Sequence, residues 1–219
     1  MLLVVFLCLM AAQAFAGAWP RGKGNAFISS SASLTWPKGR AFEYPDIYGS
    51  GYAEYGLSQR VTLGLDLGSS DATRQSRLKA IGFLRYTLSD PNARHQFAMD
   101  IGAGKHLGEN VIRLGASYGT GIQLFSRPGW VAFDAHTLIN PNMKTATSSV
   151  DATMGLNLEH GKLIGLLSAH VPSNGARTYT FTPSYVRKFG KSRHIELGVS
   201  FDLSGGPDPA LKLGIWQEF

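Results

Sequence analysis

The chain has 219 residues, 26 of them glycine, with a single cysteine, 16% charged residues and a formal net charge of +6. Mean hydropathy is −0.04, and beyond residue 16 there is no run of about 20 apolar residues, which excludes a polytopic helical membrane protein. One thiol rules out a disulfide scaffold and a cysteine-based metal site. Abundant glycine without helix-favouring runs points to β structure.

Residues 2–16 read LLVVFLCLMAAQAFA. An apolar run of about fifteen residues closing on Ala14-Phe15-Ala16 predicts a secretory signal peptide cleaved before Gly17, and it is too short for a transmembrane helix. Its n-region lacks Lys and Arg. Cys8 lies inside it, preceded by Leu7 and not by the small residue of a lipoprotein site. The expected organisation is a leader over 1–16 and one domain over 17–219.

From there the hydrophobic period is two, the signature of strands with two unlike faces. VTLGLDLG (61–68) places Val61, Leu63, Leu65 and Leu67 on one face and Thr62, Gly64, Asp66 and Gly68 on the other. The same alternation recurs over 112–124, 150–159 and 195–203. Breaks between such runs predict about twelve strands: 25–36, 48–57, 61–69, 78–88, 96–105, 111–125, 130–139, 150–159, 162–171, 178–189, 194–204 and 210–219. Segments 78–88, 130–139 and 162–171 alternate less cleanly, so ten is the alternative. An even count is expected of a single-chain barrel with both termini on one side. If the first strand runs outward, the inner connections are mostly two to six residues. The outer ones (37–47, 70–77, 106–110, 140–149, 172–177 and 205–209) are five to eleven. That asymmetry is the one expected of outer-membrane barrels.

Alternation alone also fits a soluble sandwich. The polar faces here, however, carry glycine, serine and single charges, which suit a crowded concave interior better than a solvated surface. Aromatic residues Trp36, Tyr55, Tyr86, Trp130, Tyr179 and Phe219 fall near strand ends, where interfacial girdles sit. The reading is an all-β fold: a transmembrane, antiparallel, up-and-down β-barrel with apolar residues outward and polar residues inward.

The last residues carry a resemblance. KLGIWQEF (212–219) resembles the C-terminal assembly signal of bacterial outer-membrane barrels in Lys212, Gly214 and terminal Phe219, with Gln217 departing from the pattern. It implies an exported outer-membrane protein handed to the barrel-assembly machinery, with outer-membrane lipids and lipopolysaccharide as its surroundings. A narrower resemblance, EYGLSQRVTL (54–63) with the leader GAWPRGKG (17–24), is to outer-membrane channels of the phenol-degradation (MetA-pathway) type, and implies passive transport.

Projected inward, the polar faces place Glu54, Asp66, Lys79, Arg85, Asp100, Arg113, Gln123, Asp134, His136, Asp151, Glu159, Glu196, Asp202 and Lys212 in the lumen. Such charges either pair across a narrow barrel and hold its wall together, or line an aqueous path and sort permeants by charge. Loop 37–47 is the segment that would plug the lumen. Asp134, His136 and Ser117 are the one grouping with hydrolase chemistry, but GASYG around Ser117 is unlike a nucleophile elbow, so no catalytic residue is assigned. The histidines lack metal-ligand spacing, no cofactor is called for, and no recognition element for nucleic acid occurs. Exterior Lys38, Arg40, Arg74, Arg77, Lys105, Lys144 and Arg177 could clamp lipopolysaccharide phosphates. The expected function is a small passive channel for hydrophilic or small aromatic solutes. The alternatives are a non-conducting structural or envelope-polymer-binding barrel and, third, a lipid hydrolase.

Overall fold

A computed structural model describes residues 17–36, 39, 44–70, 78–173, 175–190, 192–206 and 209–219. The leader 1–16, most of loop 37–43, the loop 71–77 and the basic residues Lys38, Arg40, Arg74 and Arg77 lie outside the described residues.

Twelve strands follow one another: β1 (Ala26–Thr35), β2 (Asp46–Gly56), β3 (Val61–Ser70), β4 (Lys79–Thr87), β5 (His95–His106), β6 (Glu109–Leu124), β7 (Arg127–Asn140), β8 (Thr145–Asn157), β9 (Gly161–Pro172), β10 (Thr178–Phe189), β11 (Arg193–Asp202) and β12 (Ala210–Glu218). Each pairs antiparallel with the next, and β12 pairs with β1, so the sheet is a closed up-and-down barrel. The closing ladder runs from Phe27↔Glu218 to Leu34↔Leu211. It continues to the last residue, where the Phe219 N–H donates to the Ala26 carbonyl at 2.9 Å and the Ala26 N–H to the Phe219 carbonyl at 3.2 Å. Closure leaves no strand edge with unpaired backbone groups.

The twelve-strand reading and the up-and-down order match the alternation. Several boundaries do not, and two of them remake a connection. β8 begins at Thr145 instead of 150, and the connection shrinks to residues 141–144. Asn140 closes this turn by accepting the N–H groups of Asn142 (3.0 Å) and Met143 (3.1 Å) through its side chain. TATSS (145–149) has no apolar alternation, so nothing in its pattern marked it as strand. The connection over 106–110 is likewise only Leu107-Gly108, both at positive φ (54° and 84°), as a type I′ hairpin requires. Two of the six connections expected to be long are therefore tight turns.

Side chains divide as the inverted reading expects. Leu63, Leu65, Leu67, Leu84, Met99, Ile101, Leu114, Leu167, Leu197 and Ile215 stand exposed on the outer face, while the intervening Thr62, Arg85, Asp100, Arg113 and Glu196 are buried. Tyr55, Tyr86, Tyr179 and Phe219 are outward-facing. A further aromatic cluster forms outside β5–β7, where Tyr118 lies 4.9 Å from Phe97 and 6.3 Å from Phe133, ring centre to ring centre. Trp130 corrects the girdle expectation: it is buried on the inner face with Ala132, Ala18 and Trp19. Its parity on β7 is that of Asp134, so position near a strand end misled where alternation would not have. Ile81 and Phe83 also point inward, which is why β4 alternated poorly. The β10–β11 ladder skips Thr182 and Pro183, since proline has no N–H to donate, and the Thr182 hydroxyl bridges the gap to Ser200 Oγ at 2.9 Å.

Trp130 fits because its cross-strand neighbour Gly155 lacks a side chain: a Cβ there would stand 1.9 Å from the indole. Gly155→Val is expected to displace the ring and lower stability by about 1–3 kcal/mol, read as a lower urea midpoint in detergent with an unchanged slope.

Candidate permeation lumen

The inner face is organised around charge. On β3–β6 the ions alternate in sign across neighbouring strands. Lys79 Nζ lies 2.7 Å from Asp66, Arg113 donates to Asp66 at 3.3 Å and to Asp100 at 2.7 Å, and Arg85 stands 3.9 Å from Asp100. Arg85 also donates to Glu54 on β2, which accepts in addition from Arg21 and the Tyr52 hydroxyl. Phe83 lies beneath two guanidinium groups, 4.7 Å from that of Arg113 and 5.1 Å from that of Arg85. A second cluster sits on β11–β12, where Glu196 accepts from Lys212 Nζ at 2.8 Å and Trp216 Nε1 at 3.2 Å. A Cβ at Gly214 would stand 3.0 Å from that same carboxylate, so the glycine leaves room for it.

Alternation by sign follows from the cost of burying charge. Isolated ions in a narrow interior lose hydration worth several kcal/mol, and cross-strand partners restore most of it. Glu54, Arg85, Asp100 and Arg113 are almost fully buried in this lattice, which fits a wall-holding role for them.

The residues before β1 are the part that sequence reasoning missed. Gly17, Ala18 and Trp19 run inside the barrel: Ala18 is wholly buried, and Trp19 packs on Trp130 and Ala132. A Cβ at Gly119 would meet the Trp19 ring at 2.4 Å, so β6 is notched to receive it. Arg21 follows, with its guanidinium 4.5 Å above the Phe27 ring and bonded to Glu54. Loop 37–47, named above as the segment that would plug the lumen, lies mostly outside the described residues; this N-terminal segment fills the end of the lumen that carries both termini. Its only sequence signal was a tryptophan and an arginine among small residues, without any period.

Above the segment remains a cavity of about 580 Å³. Nine of the expected lumen residues border it: Asp66, Lys79, Arg85, Arg113, Asp134, His136, Asp151, Glu196 and Lys212. Ser29, Ser31, Ser50, Tyr52, Thr153 and Trp216 are also among its lining. Glu54 and Asp100 are packed behind it, in the lattice already described. Three expectations need correction. Glu159 lies in the turn after β8, almost fully exposed and 3.8 Å from His160, because β8 ends at Asn157. Gln123 keeps the inward parity, but it is exposed near the Phe125–Ser126 turn, where the β6–β7 hairpin reaches the rim. Asp202 ends β11 and accepts the Ser204 N–H at 2.6 Å, capping its own loop. As for hydrolase chemistry, Ser117 lies opposite Asp134 and bonds to it, while His136 lies opposite Gly115.

No protein-family model matches the chain, and no curated protein matches it in sequence. In fold it is similar to the COG4313 outer membrane channel from Pseudomonas putida F1, with a TM-score of 0.56 at 15% identity over 94% of this chain and 100% of that one. A mutant of the Rh. blastica porin aligns with a TM-score of 0.35 at 9% identity, over 89% of this chain and 99% of the porin. The first likeness shows the fold, a twelve-stranded barrel consistent with both the C-terminal and the narrower resemblance.

Glu54 is the joint between the barrel wall and the inserted segment. Glu54→Gln leaves Arg21 and Arg85 facing each other without their shared carboxylate, and a loss of about 3–5 kcal/mol is expected. Urea unfolding in detergent measures it; a loss below about 1 kcal/mol would show that the triad holds nothing together.

Proposed function

We propose that the chain is a small passive channel of the bacterial outer membrane, carrying small polar or aromatic solutes down their gradient. The supporting observation is a closed barrel, apolar outside, that encloses a cavity of about 580 Å³ bordered by charged and hydroxyl side chains. The fold likeness to an outer membrane channel points the same way. In this reading the bilayer covers the outward leucines, the Lys212–Phe219 strand is the label read by the barrel-assembly machinery, and exposed Lys105, Lys144 and Arg177 engage lipopolysaccharide phosphates. Solutes pass the serines of β1 and β2 on one side and Asp66, Lys79, Asp134, His136, Asp151 and Lys212 on the other. The segment Gly17–Arg21 occupies the end of this path that carries both termini.

A second reading, a non-conducting structural barrel, is favoured by the same inserted segment and its buried tie to Glu54. Purified protein in planar bilayers separates the two. Discrete, small conductance steps are expected of a channel, whereas silence from well-folded protein supports the structural barrel. Lys79→Gln removes a partly exposed cation beside Asp66. It should shift the permeability ratio toward cations by about fivefold, the weight of ~1 kcal/mol from one charge at about 4 Å in water. An unchanged ratio removes this pair from the path.

The membrane setting has its own test. Leu65, exposed in the middle of β3, is expected near the bilayer midplane. Leu65→Arg should cost about 2–4 kcal/mol in lipid bilayers and far less in a soluble sandwich rim, measured by denaturant unfolding in vesicles.

A further inference from the structure

The inserted segment ends against acid. The Gly17 backbone N–H is bonded to the Asp134 carboxylate. The space a side chain would need at residue 17 is already taken: a Cβ would stand 2.5 Å from Asp134 Oδ1 and 2.9 Å from Arg85 Nη2. Asp134 is paired in register with Asp151 on β8, and both border the lumen cavity. Across β2–β6 and on β11–β12, acid meets base. Among the described residues, no Lys, Arg or His nitrogen lies within 4.0 Å of either Asp134 or Asp151. Arg85, whose charge reaches Asp134, is bonded to Glu54. Two carboxylates side by side in a confined space, one already holding a main-chain N–H, call for a cation.

The sequence places one there. Ala14-Phe15-Ala16 marks cleavage immediately before Gly17. Hydrolysis of the Ala16–Gly17 bond consumes one water, leaves the new carboxylate on the departing leader and leaves the amine on Gly17. That amine takes up a proton at neutral pH. An amide N–H with one donor and no charge becomes an ammonium with three donors and a full positive charge, beside a carboxylate pair that has no ion-pair partner within 4.0 Å among the described residues.

We propose that Gly17 is the first residue of the mature protein, and that its α-ammonium is captured by the Asp134–Asp151 pair, locking the inserted segment into the lumen. Removal of the leader is then a structural switch as well as an export step. Before cleavage the tip of the segment is held at Asp134 by a neutral main-chain N–H; afterwards it has a charge-assisted anchor there. Glycine presents an ammonium here without requiring the Asp134 and Arg85 side chains to move. The proposal does not depend on conduction.

Two measurements test it. The intact mass of protein purified from outer membranes should correspond to residues 17–219. A terminus at any other residue overturns the proposal, and this needs no variant. Acetylation of the folded protein by an amine-reactive ester, followed by mass spectrometry of the N-terminal peptide, then reports whether the amine is held. Labelling of Gly17 should be slow in the native chain and about tenfold faster in the Asp134→Asn, Asp151→Asn double variant, roughly what losing a charge-assisted hydrogen bond removes. Asp151→Asn alone keeps the Asp134 contact and should fall between, with both variants checked for folded mobility on unheated gels. Equal labelling in the native protein and a folded variant overturns the capture, whatever the bilayer recordings show.

Discussion

The seam between β1 and β12 is the constraint from which the rest follows. A sheet with an oily outer face has only one way to satisfy every backbone group if that face meets hydrocarbon, and that is to close. Here closure consumes the chain to its last residue, through the paired bonds of Ala26 and Phe219. With twelve strands it also brings both termini to the same end. The segment before β1 therefore emerges at the mouth of the lumen. Gly22 and Gly24, at φ 76° and 87°, supply the left-handed turns that let the chain double back, so residues 17–21 enter the barrel and do not trail away from it. An architecture that must close also creates a mouth beside its own N-terminal segment.

Closure has an electrostatic consequence. A polar face that would be hydrated on an open sheet is enclosed, and each ion loses part of its water. The answer is neighbourly pairing along the hydrogen-bonding direction: Lys79, Asp66, Arg113, Asp100, Arg85 and Glu54 alternate in sign across β2–β6. Rigid aromatics fill what the ions leave, Phe83 under two guanidinium groups and Trp130 over Gly155. Glycines opposite these rings are as much a part of the packing as the rings. Their frequency in the sequence reflects the crowding of a concave face, alongside the needs of turns.

The fold was legible because its period is two and its outward residues are large. Strands such as 61–70 or 193–202 need no tertiary information to be read. Legibility failed where a residue served a neighbour and not its own strand. TATSS extends β8 only because β7 offers it a partner, and a polar stretch carries no alternation to announce that. The lumen residues of strand interiors were placed by parity alone. Parity says which face a side chain takes but not how far along the barrel it lies, and Gln123, Glu159 and Asp202 were lost at the rims. The inserted segment was invisible for a different reason. GAWPRG has no period, and its fit depends on notches at Gly119 and Gly56, more than thirty residues away, where a Cβ would strike Trp19 and the Gly22 carbonyl.

The walls of the lumen are thus unlike one another, and this bears on what the enclosed space can do. Across β2–β6 the charges are mutually neutralised and mostly buried, so a solute there meets a surface with alternating sign and little net field. On β1 and β2 it meets serine hydroxyls, with Ser31 and Ser50 already bonded to each other at 2.7 Å. On β7 and β8 it meets Asp134 and Asp151, whose negative charge no neighbouring strand cancels. An enclosed acid pair draws a nearby cation, and on the proposal made above that cation is the amino group freed at Gly17. If that group is seated, it offsets one of the two carboxylate charges and weakens the field of the acidic wall. If it is absent, the same wall is a cation site facing an open mouth. On the same proposal, the state of one terminal nitrogen would set the strength of the field along this acidic stretch, and with it the kind of solute the barrel would admit.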